Sequence, residues 1–129
     1  MNSKQNLITA ALLGALTVMI GAFGAHALRS VLETTGRTET FETAVKYQMY
    51  HTLALLLAGI WQLYFTHKLL RTASLLFLGG IFIFSGSLYV LCLTGITWLG
   101  AVTPIGGVLF IIGWFCLALA AYKMPHRSK

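Results

Sequence analysis

An amide and an imidazole occur together in one of the strongly apolar stretches of this chain. Gln48 and His51 are three residues apart, so a helix would place them on one side, with Tyr47 one turn before His51. Imidazole can change its charge near neutral pH, and an amide both donates and accepts hydrogen bonds. This combination favours binding of a small polar ligand.

Histidine, serine and tyrosine side chains also occur in two other apolar stretches. Helices that cross one apolar layer would bring all these polar side chains into the same half of that layer. The other half would hold few polar groups apart from Gln62 and Tyr64. We therefore predict a ligand-binding pocket in the polar half. Its residues would be His26, Tyr47, Gln48, His51, Ser85, Ser87 and Tyr89.

Each of these residues also has a structural explanation, and the sequence leaves both open. His26 could reach water beside Arg29, and His51 could form a structural hydrogen bond with Tyr47 or Ser85, worth about 1 kcal/mol. A belt of aromatic residues at the edge of the apolar layer would account for four rings. These are Tyr47, Tyr50, Tyr89 and Trp98.

The motifs of common catalytic sites are missing from the sequence. No acidic residue lies between Tyr47 and Phe65 or in the other apolar stretches, and no CxxCH, HExxH, phosphate-binding loop or GxSxG motif occurs. We predict that the protein is not an enzyme and has no catalytic residue, metal site or cofactor. Ligation of a haem by His26 and His51 is a remote alternative, because no supporting pattern accompanies the two histidines.

The composition is that of a small membrane protein. The 129 residues are 57% hydrophobic and 9% charged, with a mean hydropathy of +0.80. Residues 7–28, 41–66, 73–95 and 104–123 are long enough to cross a bilayer, which takes about 20 residues of helix. We predict one domain over residues 1–129, an all-α bundle of four antiparallel transmembrane helices with left-handed packing.

The first external loop is predicted to contain a short amphipathic helical segment. Ser30 and Glu33 match a capping box, and Gly36 can end the segment. The second long helix would begin near Thr40 and carry an ion pair between Glu42 and Lys46. Before the last helix, Thr103 and Pro104 match an N-cap and first-turn pair.

The basic residues predict that both termini are cytoplasmic in an inner membrane. One side would hold Lys4, Lys68, Arg71, Lys123, Arg127 and Lys129. The other would hold fewer basic residues, together with all three acidic ones. This asymmetry explains the net charge of +6, and nucleic acid is not an expected partner.

Glycines recur at intervals of seven residues, or about two helical turns, which places both members of a pair on one face. The pairs are Gly14 with Gly21, Gly79 with Gly86, and Gly106 with Gly113. Small residues let helices in a bilayer approach closely. We predict packing inside the bundle, with a surface for self-association as the alternative. Cys92 and Cys116 are predicted to be small packing residues without a disulfide.

The motifs "GAFGAHAL", "TAVKYQMYHTLALL", "FSGSLYVLCLTG" and "TPIGGVLFIIGW" occur in order along nearly the whole chain. In this the sequence resembles the bacterial inner-membrane family catalogued as domain of unknown function four-two-three. The resemblance implies a four-span membrane protein and supplies no substrate or mechanism. It also points to Gly21, Gly24, His26, Tyr47, Gln48, His51, Ser85, Gly86, Ser87, Tyr89, Gly95, Thr103, Pro104, Gly106, Gly107 and Trp114.

The function that we expect from the sequence is binding or transport of a small polar solute or a lipid headgroup in the outer pocket. The alternative is a structural or accessory subunit that docks another membrane protein through its glycine-rich faces. The bilayer is a partner in either case, and a homo-oligomer is possible. Loss of ligand binding without loss of folding, on substitution of Gln48 and His51, would separate the two functions.

Overall fold

The computed structural model describes residues 1–125, and all the regular structure in that range is helical. The α-helices are α1 (Ser3–Ala25), α2 (Arg29–Thr34), α3 (Thr38–Tyr64), α4 (Lys68–Gly80), α5 (Gly86–Thr94) and α6 (Thr103–Tyr122). A π-helical turn, Ile81–Ser85, joins α4 to α5, and a 3-10 helix, Thr97–Ala101, precedes α6. The all-α prediction is confirmed. Arg127 and Lys129, used in the charge argument, lie outside the described residues.

Among the described residues, three helical segments are long and apolar enough to cross a membrane. They are Ser3–Ala25, Lys68–Thr94 and Thr97–Tyr122, with mean hydropathies of 2.1, 2.2 and 2.2. The 27-residue helix α3 has the length to cross but is not one of them. Its polar residues Gln48, His51 and Gln62 lower its hydropathy, and all three are buried against other helices.

Helices α1 and α3 pack side by side in opposite directions. A Cβ on Gly59 of α3 would meet Asn6, near the start of α1, whereas Gly21 of α1 faces Val45, near the start of α3. Ala44 and Ala58 of α3 are fully buried. Small residues therefore bring the two backbones close together, as expected for helices that cannot rely on the hydrophobic effect in lipid.

Helices α4 and α6 form a second antiparallel pair, and here phenylalanine residues lie against glycines of α6. Phe77 covers Gly113, and a Cβ built there would lie 2.7 Å from the ring. Phe84 covers Gly106, where a Cβ would lie 2.5 Å from the Phe84 backbone nitrogen. The predicted packing role is thus visible in the contacts of both glycines of this pair. Gly14, Gly21 and Gly79 also face residues of neighbouring helices.

Gly86 is the exception among the six predicted packing glycines. A Cβ at Gly86 would meet nothing within 4 Å, whereas one at Gly79 would lie 3.6 Å from Leu109. The π-helical turn Ile81–Ser85 separates the two, and its i to i+5 hydrogen bonds add about one residue to a turn. Seven residues across this segment are no longer two turns, so the prediction that Gly86 packs within the bundle is wrong.

Two residues that were predicted to be helix N-caps do not occupy that position. Ser30 does not cap α2, whose N-cap is Leu28, and Glu33 instead accepts a 2.8 Å hydrogen bond from Nε of Arg29. Thr103 lies inside α6 after the N-cap Val102. A capping box does form at the start of α1, between Asn2 and Gln5.

Other local predictions are confirmed. Gly36 has a positive φ of 66° after α2, and the Glu42–Lys46 ion pair is 3.3 Å long. Cys92 and Cys116 are free and buried.

Candidate functional site

His51 is held between α3 and α6 by both of its ring nitrogens. Its Nδ1 lies 2.8 Å from the backbone oxygen of Tyr47, and its Nε2 lies 3.2 Å from the indole Nε1 of Trp114. The ring also stacks on Phe110 at a centroid distance of 3.4 Å and an interplanar angle of 5°. A carbonyl only accepts and an indole N–H only donates. Nδ1 therefore carries the proton, Nε2 accepts, and the ring is neutral.

A groove of about 590 Å³ lies beside this histidine, between α3 and α6. Tyr47 stacks on Phe84 at a centroid distance of 4.6 Å and so forms part of its wall. A Cβ on Gly107 would lie no closer than 3.9 Å to the Phe84 ring, so the lack of a side chain leaves the groove open. The full lining is Tyr47, Tyr50, His51, Phe84, Gly107, Phe110, Ile111 and Trp114.

Four other predicted pocket residues, Gln48, Ser85, Ser87 and Tyr89, form hydrogen bonds between helical segments. The Tyr89 hydroxyl donates a 2.8 Å hydrogen bond to Oε1 of the buried Gln48, joining α5 to α3. Ser85 donates to the Ala44 backbone oxygen over 2.8 Å. Ser87 contacts the Thr103 hydroxyl at 2.8 Å. Of the seven predicted residues, only Tyr47 and His51 line the groove.

His26 lies apart from the other six. It is the C-cap of α1, it is exposed, and its backbone N–H donates to Ala22 over 3.1 Å. The lone pair of His51 Nε2 is already used by Trp114. Ligation of a haem by His26 and His51 together would therefore require the bond between His51 and Trp114 to break. Among those residues, no group of three or more His, Cys, Asp and Glu could hold a metal ion.

A second buried polar cluster was not predicted from the sequence. Asn6 Nδ2 donates to Ser74 Oγ over 2.7 Å, and Gln62 Nε2 lies 3.3 Å from the same oxygen. Ser74 in turn donates to the Leu70 backbone oxygen over 2.8 Å. Within the described residues, Asn6 Oδ1 is buried without a hydrogen-bond partner. Asn6 and Ser74 lie at the ends of apolar stretches, where a single polar residue is usually read as part of a helix terminus.

Six of the eight groove residues were not predicted as pocket residues, among them Phe110 and Trp114. Phe110 and Trp114 are spaced i, i+4, and Gly107 precedes Phe110 by three, so the three share one face of α6. This spacing was available in the sequence. Nothing in it indicated that His51 would face the same line of residues.

Comparisons with known proteins identify a family and relatives that are named membrane proteins. A family model described as "Protein of unknown function (DUF423)" matches residues 20–107. A "UPF0382 membrane protein" of Staphylococcus epidermidis is 48% identical over 87% of this chain and 93% of its own length. UPF0382 membrane protein YwdK of Bacillus subtilis is 41% identical, over 93% of this chain and 98% of its own length. One of Haemophilus influenzae is 40% identical, over 93% and 95%. No solved structure shows a significant match.

Proposed function

The chain belongs to the DUF423 family of bacterial membrane proteins, and on that premise we propose that it binds a membrane lipid in the groove between α3 and α6. The observation that carries this proposal is the preformed aromatic groove beside His51. Ligand sites are typically concave, mostly apolar and about 300–1,000 Å³ in volume. The groove has about 590 Å³ and an aromatic lining, so it suits a lipid chain better than a polar solute.

The rigidity of the groove supports ligand binding. The His51 ring is fixed by hydrogen bonds to Tyr47 and Trp114, and it stacks on Phe110. A wall that is already ordered loses little conformational entropy when a ligand binds. A lipid chain lying there would thus be held more firmly than one against a mobile, convex helix surface.

The length and the open side of the groove also suit a lipid chain. Gly107 and Trp114 are seven residues apart on α6, which is about 10 Å along the helix. Tyr47 and Tyr50 are 40% and 56% exposed, and their hydroxyls make no hydrogen bond within the described residues. These hydroxyls could donate to the polar part of a lipid whose chain lies against Phe110 and Trp114.

The proposal includes four membrane crossings with both termini in the cytoplasm of a bacterial inner membrane. Helix α3 crosses between the other helices, and residues of α4, α5 and α6 cover its polar side chains. Lys4 and Lys68 mark the inner ends of helices, and Lys46 lies toward the outer end of α3. With this orientation the groove opens in the outer half of the bilayer.

The rival function, docking of another protein through the glycine faces, finds less support. Gly106 and Gly113 are covered by phenylalanines of the same chain, and Gly21 faces Val45. Gly86 is the predicted packing glycine that stays uncovered. A partner would therefore have to use a surface different from the one that the sequence indicated.

Photo-crosslinking in vesicles tests the proposal. A phospholipid with a diazirine in its acyl chain is added to the wild type, and labelled residues are mapped by mass spectrometry. Gly107→Leu should reduce the labelling of groove residues several-fold, because the new side chain fills the groove without a clash with the backbone of another helix. Gly86→Leu is the matched control, since its side chain would project into open space.

The result that contradicts lipid binding is equally specific. Labelling spread evenly over all helices of the wild type, and unchanged in Gly107→Leu, would show that lipid only surrounds the protein. Thermal unfolding of both variants establishes that they are folded.

A further inference from the structure

A second cavity, of about 460 Å³, lies at the outer end of the molecule between α1, α2 and the start of α3. Small residues of α1, Gly21 and Gly24, form one side of it. The charged residues that line it are Arg29 and Glu33 of α2 and Glu42 and Lys46 of α3. We call this cavity the charged cleft.

Four of the twelve acidic and basic residues of the chain line this cleft. The chain has only three acidic residues, and two of them, Glu33 and Glu42, line it. Each carboxylate has one cation of its own helix beside it. Arg29 Nε lies 2.8 Å from Glu33, and Lys46 Nζ lies 3.3 Å from Glu42. The cleft thus combines two positive and two negative groups with no net charge.

These ion pairs do little for the stability of the fold. All four side chains are more than half exposed, and exposed pairs of this kind contribute little in water. The hydrogen bond from Arg29 to Glu33 raises the pKa of the guanidinium above its ordinary value, so Arg29 stays charged. All four groups are accessible, so ligand atoms can replace the water around them.

We propose that the charged cleft binds a zwitterionic group that carries a primary ammonium close to a phosphate or carboxylate. The anionic end would accept hydrogen bonds from Arg29 and Lys46, and the ammonium would donate to Glu33 and Glu42. Hydrogen bonds between charged partners are about twice as strong as neutral ones. A purely anionic ligand would meet two carboxylates in the same cavity, so the cleft selects for the zwitterion.

This site is separate from the lipid groove. The two cavities share no lining residue. On α3 the cleft uses Glu42 and Lys46, whereas the groove uses Tyr47, Tyr50 and His51. The inference therefore does not depend on the proposed function of the groove.

The zwitterion could belong to a lipid headgroup or to a free solute, and native mass spectrometry distinguishes these sources. Delipidated Gly107→Leu protein is titrated with three probes. They are phosphatidylethanolamine, phosphatidylglycerol and free phosphoethanolamine. The substitution fills the groove, so that only binding at the charged cleft is measured. We expect phosphatidylethanolamine to be retained in preference to phosphatidylglycerol if the source is lipid. Binding of phosphoethanolamine alone would instead identify a solute site.

Charge-matched variants identify the site. Glu42→Gln and Lys46→Gln should each weaken binding of the preferred zwitterion about tenfold, which is near the lower end for a hydrogen bond to a charged group. Glu39→Gln and Lys68→Gln make the same changes of net charge outside the cleft and should leave binding unchanged. Equal retention of the two lipids without phosphoethanolamine binding would overturn the proposal. Equal effects of Glu39→Gln and Glu42→Gln would also overturn it.

Discussion

The indole Nε1 of Trp114 donates a 3.2 Å hydrogen bond to Nε2 of His51, and this bond joins the middle of α6 to α3. Trp114 is the twelfth residue of α6 and so lies about 16 Å from its start. Tryptophan in a membrane helix is commonest at the interface. The bond to His51 explains a tryptophan at mid-helix, because its N–H finds an acceptor away from water.

Replacing Trp114 by Phe should destabilise the protein by about 1 kcal/mol, the usual size of a buried hydrogen bond between membrane helices. His51 Nε2 would lose its donor while an aromatic ring remained in place. Unfolding in mild detergent, followed by circular dichroism, measures the loss. Trp98→Phe is the control, since Trp98 is 67% exposed. Equal losses in the two variants would contradict a specific bond.

Adding one methyl group at three glycines should have graded effects on stability. Gly106→Ala should cost most, about 1–3 kcal/mol, because the new carbon would lie 2.5 Å from the Phe84 backbone nitrogen. Gly113→Ala should cost less, because the neighbouring Phe77 ring can shift more easily than a backbone. Gly86→Ala should be close to neutral. The free energies of unfolding of the three variants check this order, and a large loss in Gly86→Ala would refute it.

In the Asn6–Ser74 contact, the two partners should respond differently to substitution. Ser74→Ala removes the acceptor of both Asn6 and Gln62 and should destabilise by about 1–3 kcal/mol, the range for buried polar groups left unsatisfied. Asn6→Leu also removes the unpartnered Oδ1, so it should cost less or even stabilise. The free energies of unfolding of the two variants test this difference. A greater loss for Asn6→Leu would indicate that Oδ1 has a partner, such as a bound water.

The hydroxyl of Tyr89 should act on stability through Gln48. Tyr89→Phe removes the donor to Gln48 Oε1 and should cost about 1 kcal/mol. In a double-mutant cycle with Gln48→Leu, the two effects should be clearly non-additive. Tyr50→Phe, at an exposed ring, should be neutral. Additive losses at Tyr89 and Gln48 would show that their contact does not stabilise the fold.

The number of crossings can be tested with a membrane-impermeant maleimide on right-side-out vesicles. In a background with Cys92 and Cys116 replaced by Ala, Thr35→Cys should be labelled from outside. Thr66→Cys should react only after the vesicles are opened, because α3 carries the chain across the bilayer between the two positions. Both positions are exposed in the structure. Labelling of both variants in closed vesicles would mean that α3 does not cross.

The positions of the helices were largely predictable from the sequence, because long apolar runs interrupted by charged or turn residues leave few alternatives. The predicted segment 7–28 corresponds to the helix Ser3–Ala25, and 104–123 corresponds to Thr103–Tyr122. The helix ends were harder to predict. Ser30 shows why. Glu33 can complete a capping box with Ser30 or form an ion pair with Arg29, and the sequence alone does not decide between the two interactions.

Whether the polar residues bind each other or a ligand was not predictable. Periodicity predicted that Gln48 and His51 lie on one side of α3. In the structure, Gln48 is bonded to Tyr89 of α5 and His51 to Trp114 of α6. These partners are 41 and 63 residues away along the chain. Contacts over such distances depend on how helices are rotated against each other, and helical periodicity does not specify that rotation.

The sequence by itself determined that this is a helical protein with membrane-spanning segments, because its apolar runs have the length of a bilayer crossing and almost no charge. It also determined which glycines could allow close packing. Tertiary structure decided which of them do so, because the π-helical turn at Ile81–Ser85 rotates the end of its helix and leaves Gly86 uncovered. It also decided that His51 meets Phe110 and Trp114, since a groove exists only where two helices lie side by side.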